Sequence, residues 1–321
     1  MDAGIAPESS SPSVVALGGG HGLAVSLRAL RRVTDQITAV VGVADDGGSS
    51  GRLRREFGVL PPGDLRMALA ALCAEDPAAR RWADVLQFRF DGDGELAGHA
   101  VGNVLMAALW ERTGDPVVGL DEMGALLGAV GRVLPCSTDP LHIVAEIRGH
   151  DPSAPTLVSE VRGQVEVATT PGRVERVWLD PSNAHVCPEA LSALDAADAV
   201  VVGPGSWFTS VMPHLVLPEL ASHIAAAPGT RILVLNLDPQ EGETGGFSPA
   251  EHIDAIASHA PQIQFDVVIA DSLHLAEASV RRDLQAACTR WGSDVRFFDV
   301  ADTADRHDPA KLARAFDTVL A

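Results

Sequence analysis

Two short glycine runs stand directly after runs of small apolar residues. In VVALGGGHGLAVSLRAL, Val14 to Leu30, the residues Gly18, Gly19, Gly20 and Gly22 surround His21 and a helical pattern follows. In DAVVVGPGSWFTSVMPHL a second apolar run ends in Gly203, Pro204, Gly205 and Ser206, with Thr209 and Ser210 just beyond. Glycine lets backbone approach a ligand closely. A strand, a glycine loop and a helix in that order turn free N–H groups toward a phosphate. The chemistry on offer is anion binding by main chain. The first loop is not a dinucleotide fingerprint, because Val25 holds the third glycine position, and no Lys-Ser/Thr follows to make a P-loop. A tight turn that binds nothing is the plainer reading. Four glycines in five residues exceed what such a turn needs, which favours an anion or nucleotide site. His21 alone would more often cap or pack.

Further polar residues sit at comparable places. Asp45 and Asp46, in VVGVADDGGSSGRLRREFG, stand where a strand should end, the position from which an acid reaches ribose hydroxyls or a hydrated metal ion. Gly47, Ser49 and Gly51 spell the G-x-S-x-G of a nucleophile elbow. The surrounding glycines, serines and arginines read instead as a flexible, hairpin-like loop. Arg52 lies either on a solvated face or within bidentate reach of a phosphate. In VLPPGDLRMALAAL, Asp64 occupies the place of an N-cap, a role compatible with ligand contact. Asn103, in GHAVGNVLMAALW, is both a good cap and a reader of base or ribose. The run RILVLNL ends at Asn236, and Gln240, Glu243 and Thr244 follow in another glycine-bearing loop. Ser248-Pro249 with Glu251 looks like a helix start.

The elements that would position these residues alternate along the chain. Strands are expected at Ser13–Leu17, Ile37–Val43, Ala199–Val202, Arg231–Asn236, Asp266–Ala270 and Val295–Asp299. Their near-continuous apolar character is that of a parallel sheet buried on both faces. Helices are expected at Leu23–Arg32, Asp64–Leu72, Asn103–Arg112, Glu122–Val130, Pro249–Ser258, Ala276–Thr289 and Pro309–Leu320. From about Cys136 to Asp180 the texture alternates with period two, as in an antiparallel excursion. The expected organisation is a disordered tail at 1–12 and one nucleotide-binding domain at 13–321, with a helical and a β-rich insertion. Two glycine loops at strand ends of one parallel sheet suit a ligand at the switch in strand order.

Composition narrows the function. The 321 residues carry a formal net charge of −19, which repels a phosphate backbone and argues against nucleic-acid binding. Four scattered cysteines and eleven histidines without HxxxH spacing suggest neither a zinc site nor a disulfide framework. The opening residues lack a signal-peptide pattern, and no apolar run approaches the roughly 20 residues of a membrane span. The expectation is a cytoplasmic protein with no membrane insertion. Exposed helices of a large α/β protein also allow a homodimer.

Taken in order, ALGGGHGLAVSLRAL, VADDGGSSGRLR, LPPGDLRMAL, GHAVGNVL, VVGPGSWFTSVMPHL, QEGETGGFS and RHDPAKLA resemble the YvcK family of gluconeogenesis factors, within the CofD-like superfamily. The resemblance runs from about Val14 to Leu312. It implies a Rossmann-like three-layer sandwich with a mostly parallel sheet. It also implies a UDP-sugar-binding regulator, of the UDP-N-acetylglucosamine type, needed for cell shape and wall integrity on gluconeogenic carbon sources. Contact with enzymes of cell-wall precursor synthesis would follow. The superfamily's enzyme branch instead moves 2-phospho-lactate from a guanosine diphosphate carrier with Mg²⁺, and the paired acids Asp45 and Asp46 keep that alternative open. The resemblance assigns Gly18, Gly19, Gly20, His21, Gly22, Gly203, Gly205 and Ser206 to a nucleotide diphosphate, Asp45, Asp46, Asn103 and Asn236 to the nucleoside or metal side, and Arg306 to the sugar nucleotide. Ser49, Ser50, Arg52, Asp64 and Thr244 complete the candidate ligand-binding set. The chain departs from the family in having no tyrosine and in the stretch VVIADSLHLAEASVRRDL, where an Asn-rich loop is expected.

Overall fold

A computed structural model describes residues 11–238, 242–303 and 305–321. Gln240 and all but the last two residues of the expected N-terminal tail lie outside the described residues. In chain order the first half contains β1 (Val14–Gly18), α1 (Gly20–Leu30), β2 (Ile37–Val41), α2 (Gly48–Phe57), α3 (Pro62–Leu72), α4 (Pro77–Gln87), α5 (Val101–Thr113), α6 (Pro116–Leu127) and β3 (Arg132–Pro135). Next come β4 (His142–Arg148), β5 (Val158–Arg162), α7 (Gln164–Ala168), β6 (Arg173–Asp180), α8 (Pro188–Asp195) and β7 (Ala199–Val202). A π-helical turn at Trp207–Val211 leads into α9 (Met212–Val216), α10 (Pro218–Ala226), β8 (Thr230–Val234), α11 (Pro249–His259) and β9 (Val267–Asp271). The chain closes with α12 (Ala278–Trp291), β10 (Asp294–Phe298), β11 (Ala301–Thr303), β12 (Arg306–His307) and α13 (Pro309–Leu320).

The main sheet has seven strands in the order β10-β9-β8-β7-β1-β2-β3, and every pairing is parallel. Each residue of β1, β7 and β9 is buried, so helices cover both faces, as the apolar runs require. The fold is a Rossmann-like α/β sandwich. β4, β5 and β6 form the separate antiparallel sheet that period-two patterning anticipated, in the order β5-β4-β6. All six expected main-sheet strands are present within one or two residues of their bounds; β3 is an addition.

The winding positions the site. From β1 the chain proceeds outward through β2 and β3, then returns to the opposite side of β1 at β7 and winds on to β10. Leu17 pairs with Val202, so the turns after β1 and β7 leave the sheet at the same level. These turns pack backbone to backbone. A Cβ on Gly22 would overlap the Pro204 carbonyl and lie 2.8 Å from the Gly205 Cα. Ser26, one turn further along α1 and buried, donates its hydroxyl to the Gly203 carbonyl at 2.8 Å.

The GGSSGRLR stretch corrects an expectation. It is not a hairpin-like loop but the start of α2: Gly47 is its extended N-cap and Gly48 turns the chain at φ +46°. Of its large apolar residues only Leu53 is buried, which left too little apolar periodicity to reveal a helix.

Gly22→Ala should push the two turns apart and destabilise the protein by about 1–3 kcal/mol, as overpacking typically does. Gly124→Ala, whose added Cβ would meet nothing closer than 3.8 Å, should be neutral or mildly stabilising in a helix. Urea unfolding of the two variants tests the contrast; equal midpoints would mean the turns do not depend on contact at Gly22.

Candidate functional site

The glycines after β1 cap no side chain of their own: Gly19 is the N-cap of α1 and makes no side-chain capping bond. The group that reaches them is Asp64. A Cβ on Gly19 would lie 2.5 Å from Asp64 Oδ2, and the Gly20 N–H donates to the Asp64 carboxyl. Asp64 is therefore not the N-cap of its own helix, as expected from the sequence. Pro61 holds that place, and Asp64 sits in the first turn of α3 with its carboxyl laid across to α1. Its carboxylate occupies the seat where a helix N-terminus would take an anion. Part of the residue remains exposed, but the carboxyl is enclosed. Burial pushes its pKa up to about 7, and the facing Asp45 charge adds to the rise; the Gly20 N–H and Arg66 only partly offset them.

Asp45 lies alongside. Its Oδ1 accepts the Gly47 N–H at 2.9 Å, and burial raises its pKa despite that bond and one from Ser50. Ser50 in turn accepts the Gly63 N–H at 3.0 Å, which ties α2 to the start of α3. Asp46 points elsewhere. It accepts the N–H groups of Gln164 and Val165, both at 3.1 Å, and so anchors the start of α7 rather than pairing with Asp45. The two carboxylates that share one hollow are Asp45 and Asp64, a pair that sequence adjacency concealed.

Behind them runs a buried polar chain. The Arg66 Nε donates to Asn103 Oδ1 at 2.8 Å, Asn103 Nδ2 donates to Ser49 Oγ at 3.0 Å, and Ser49 Oγ lies 2.9 Å from His99 Nδ1. Asn103, expected as a cap or a ribose reader, is not the cap: Ala100 is the N-cap of α5, and the Asn103 amide bonds to Arg66 and Ser49 inside this chain. The Ser49–His99 pair lacks the geometry of a nucleophile elbow. Ser49 is buried in the first turn of a helix, and no non-glycine residue has positive φ among the described residues, so the strained elbow is missing. Arg52 is likewise occupied, donating to the carbonyls of Glu95 (3.2 Å) and Ala97 (2.7 Å).

On the β7 side, Asn236 grips Gly205 on both edges. Its Oδ1 accepts the Gly205 N–H at 2.9 Å and its Nδ2 donates to the Gly205 carbonyl at 2.8 Å. Asn236 thus fixes the second glycine turn. Buried Glu243 accepts the Phe208 N–H at 2.8 Å and the Thr209 hydroxyl, and burial raises its pKa. Thr244, next to it, is fully buried. The π-helical turn held by Glu243 presents Ser210 to the first glycine turn, 3.6 Å from a Cβ built on Gly19. Short π segments recur where a helix must aim a group at a site.

These elements enclose a hollow of about 10 Å³ lined by Gly19, Gly42, Ala44, Asp45, Asp64, Gln164, Thr209, Ser210 and Pro213. That is room for about one water molecule. A diphosphate would have to displace Asp64 or move Gln164. A roomier cavity, about 180 Å³, lies beside α6 and the start of β3, at the opposite end of the strands, among mainly small and apolar residues. The convergent amides are not there. Gly18 to Gly22, Asp45, Ser50, Asp64, Gly203, Gly205, Ser206 and Asn236 are gathered about the junction of β1 and β7. His21 is exposed in the first turn of α1. Arg306 is exposed on β12, in the hairpin that follows the edge strand β10, beside His307, whose ring bonds to the backbone of Leu235 next to Asn236. Gln164 became visible only through tertiary packing, since its segment carries no motif of its own, whereas Ser210 and Glu243 lie in the strand-end segments that the sequence marked.

The comparisons agree with this architecture. A family model described as 2-phospho-L-lactate transferase CofD matches residues 14–305. A Mycobacterium leprae protein is 50% identical over 311 residues, 97% of this chain and 86% of that one. A Bacillus subtilis protein named gluconeogenesis factor is 36% identical over 271 residues, 84% of this chain and 82% of its own. The crystal structure of a UPF0052 family member from Bacillus halodurans superposes with a TM-score of 0.83 at 32% identity, covering 96% of this chain and 99% of that one.

Asp64 makes stability depend on pH in a stated direction. Unfolded, it ionises near 3.8; folded, near 7. Between those values the folded chain keeps a proton that the unfolded chain has released, so this group's contribution to stability falls as pH rises through the window. Asp64→Asn should remove that fall. Measured by urea midpoints, the variant should gain on wild type in going from pH 4.5 to pH 8. A constant difference would show that Asp64 titrates normally.

Proposed function

The chain belongs to the CofD family and is related along nearly its whole length to gluconeogenesis factors, and from that premise we propose that it binds a nucleotide sugar of the UDP-N-acetylglucosamine type and acts as a regulator. The observation that carries the reading is the meeting of two glycine turns at the switch in strand order, one of them the N-terminus of the 11-residue helix α1. A pyrophosphate is the ligand chemistry suited to main-chain amides converging there. Its negative charge would replace that of Asp64, which protonates or swings aside. The regulator would act in the cytoplasm on cell-wall precursor supply, sustaining cell shape and wall integrity on gluconeogenic carbon sources.

A second reading is supported by the pair Asp45 and Asp64. Two carboxylates beside a phosphate seat are the ligand set that Mg²⁺ takes together with phosphate oxygens and water. Asp46, turned to α7, would not join them. With the ion bound, charge on a departing phosphate would be neutralised, and the protein would transfer a 2-phospho-lactate group from a nucleoside diphosphate carrier.

Calorimetric titration with UDP-N-acetylglucosamine should give saturable heat. Arg306→Ala should weaken it severalfold while leaving the thermal unfolding midpoint in place, since the residue is exposed. Absence of heat at millimolar ligand from folded protein would contradict the binding reading. Product formation from a nucleoside-diphosphate-lactate and an acceptor, dependent on Mg²⁺ and lost in Asp45→Asn, would establish the transferase instead.

A further inference from the structure

One wall of the hollow at the glycine turns comes from outside the main sheet. Gln164 belongs to α7, a helix of five residues, of which only Val167 is buried. The chain enters α7 through Gly163, at φ +113°, and leaves it through Thr169 and Thr170. The Gly163 N–H donates to the Ile143 carbonyl at 2.8 Å, so β4 holds the segment as far as that residue. Beyond it, the first turn of α7 is fastened by Asp46. Its carboxylate accepts the Gln164 and Val165 N–H groups, both at 3.1 Å. A Cβ on Gly163 would lie 2.6 Å from Asp46 Oδ2, so this approach needs glycine for space as well as for its φ.

Asp46 has a second partner at hand. Arg54, in the last turn of α2, has a buried Nη1 that makes no hydrogen bond to any described residue. Asp46 is the acid whose charge acts on it most strongly, followed by Asp45. Arg162, the cation that opposes them, is already paired with Asp180 at 2.5 Å. A buried N–H without an acceptor is costly. Asp46 can therefore serve either the start of α7 or Arg54, and one carboxylate with two exclusive partners makes a two-state element. Gln164 gives that element something to act with. Its side-chain amide makes no hydrogen bond to any described residue, and it stands at the hollow with Asp45, Asp64 and Ser210. An amide NH₂ offers two donors to an anion.

We propose that Gln164 is a ligand contact and that α7 is the latched cover that carries it: α7 lifts when Asp46 passes from the Gln164 and Val165 amides to Arg54, and on closing it lays the Gln164 amide on the bound phosphate. The inference rests on the reading that a phosphate group takes the seat between the glycine turns. It explains how a hollow with room for about one water admits a larger anion. Lifting costs little packing, because α7 keeps one side chain in the core. Closure then shuts water out of the seat.

Amide hydrogen exchange of the full chain without ligand reads the cover alone. Gln164 and Val165 should be at least tenfold less protected than Gly163, and Arg54→Met, which removes the open-state partner, should raise their protection severalfold. Protection equal to that of Gly163, or unchanged by Arg54→Met, overturns the proposal. Binding of inorganic pyrophosphate reads the contact: Gln164→Ala should weaken it severalfold, and unaltered affinity would contradict that role. A lock tests the motion. A Cβ on Gly47 would lie 2.9 Å from Val165 Cγ2, so Gly47→Cys with Val165→Cys can close a disulfide, and the four native cysteines are buried. Oxidised, this variant should lose pyrophosphate binding, and dithiothreitol should restore it; equal binding in both states overturns the cover. Should wild type bind neither pyrophosphate nor UDP-N-acetylglucosamine, the reading of the seat fails, and the exchange rates alone decide whether α7 lifts.

Discussion

Two turns of main chain meet at the centre of the sheet with no side chain between them, and the remaining architecture is arranged around that approach. Gly22 cannot carry a Cβ because the Pro204 carbonyl and Gly205 Cα fill the space. The contact exists because strand order reverses between β1 and β7, which places the carboxyl ends of both strands side by side. Bonds from Ser26 to Gly203 and from Asn236 to both edges of Gly205 keep the second turn in place. Asn236, a ligand candidate in the sequence, also belongs to the framework that holds the second turn there.

An anion seat made this way is not left bare. The Asp64 carboxyl closes the N-terminus of α1 beside Asp45, in a hollow with room for about one water. Its ionised form gains the Gly20 hydrogen bond but suffers burial and a like charge, and the balance raises the pKa to about 7. A phosphate arriving at this seat would meet the same helix terminus with more charge to offer. Occupation of the seat and protonation of Asp64 are thereby linked.

The sheet was legible because parallel strands buried on both faces must be continuously apolar. Val14–Gly18 and Ala199–Val202 satisfy that rule without exception. The meeting of the two glycine turns was legible because both follow strands of one sheet. A pyrophosphate-sized space between them was expected and is not open: Asp64 and Gln164 close it. Capping assignments failed where a residue reaches across sequence. Asp64 and Asn103 sit at helix starts and have capping chemistry, yet both turn outward to other elements, because proline and alanine already hold the N-cap positions. Asp45 and Asp46 are adjacent in sequence, yet only Asp45 faces the hollow. α2 was hidden because an Arg-rich helix packing mainly through small residues has little apolar rhythm to read.

The account stands or falls on the two turns acting as one site. Backbone amide spectra of ¹⁵N-labelled protein, recorded while UDP-N-acetylglucosamine is added, test this most directly. The amides of Gly20, His21 and Gly22 should shift together with that of Ser206, along one saturation curve. Shifts confined to residues remote from both turns, or to one turn alone, would contradict it.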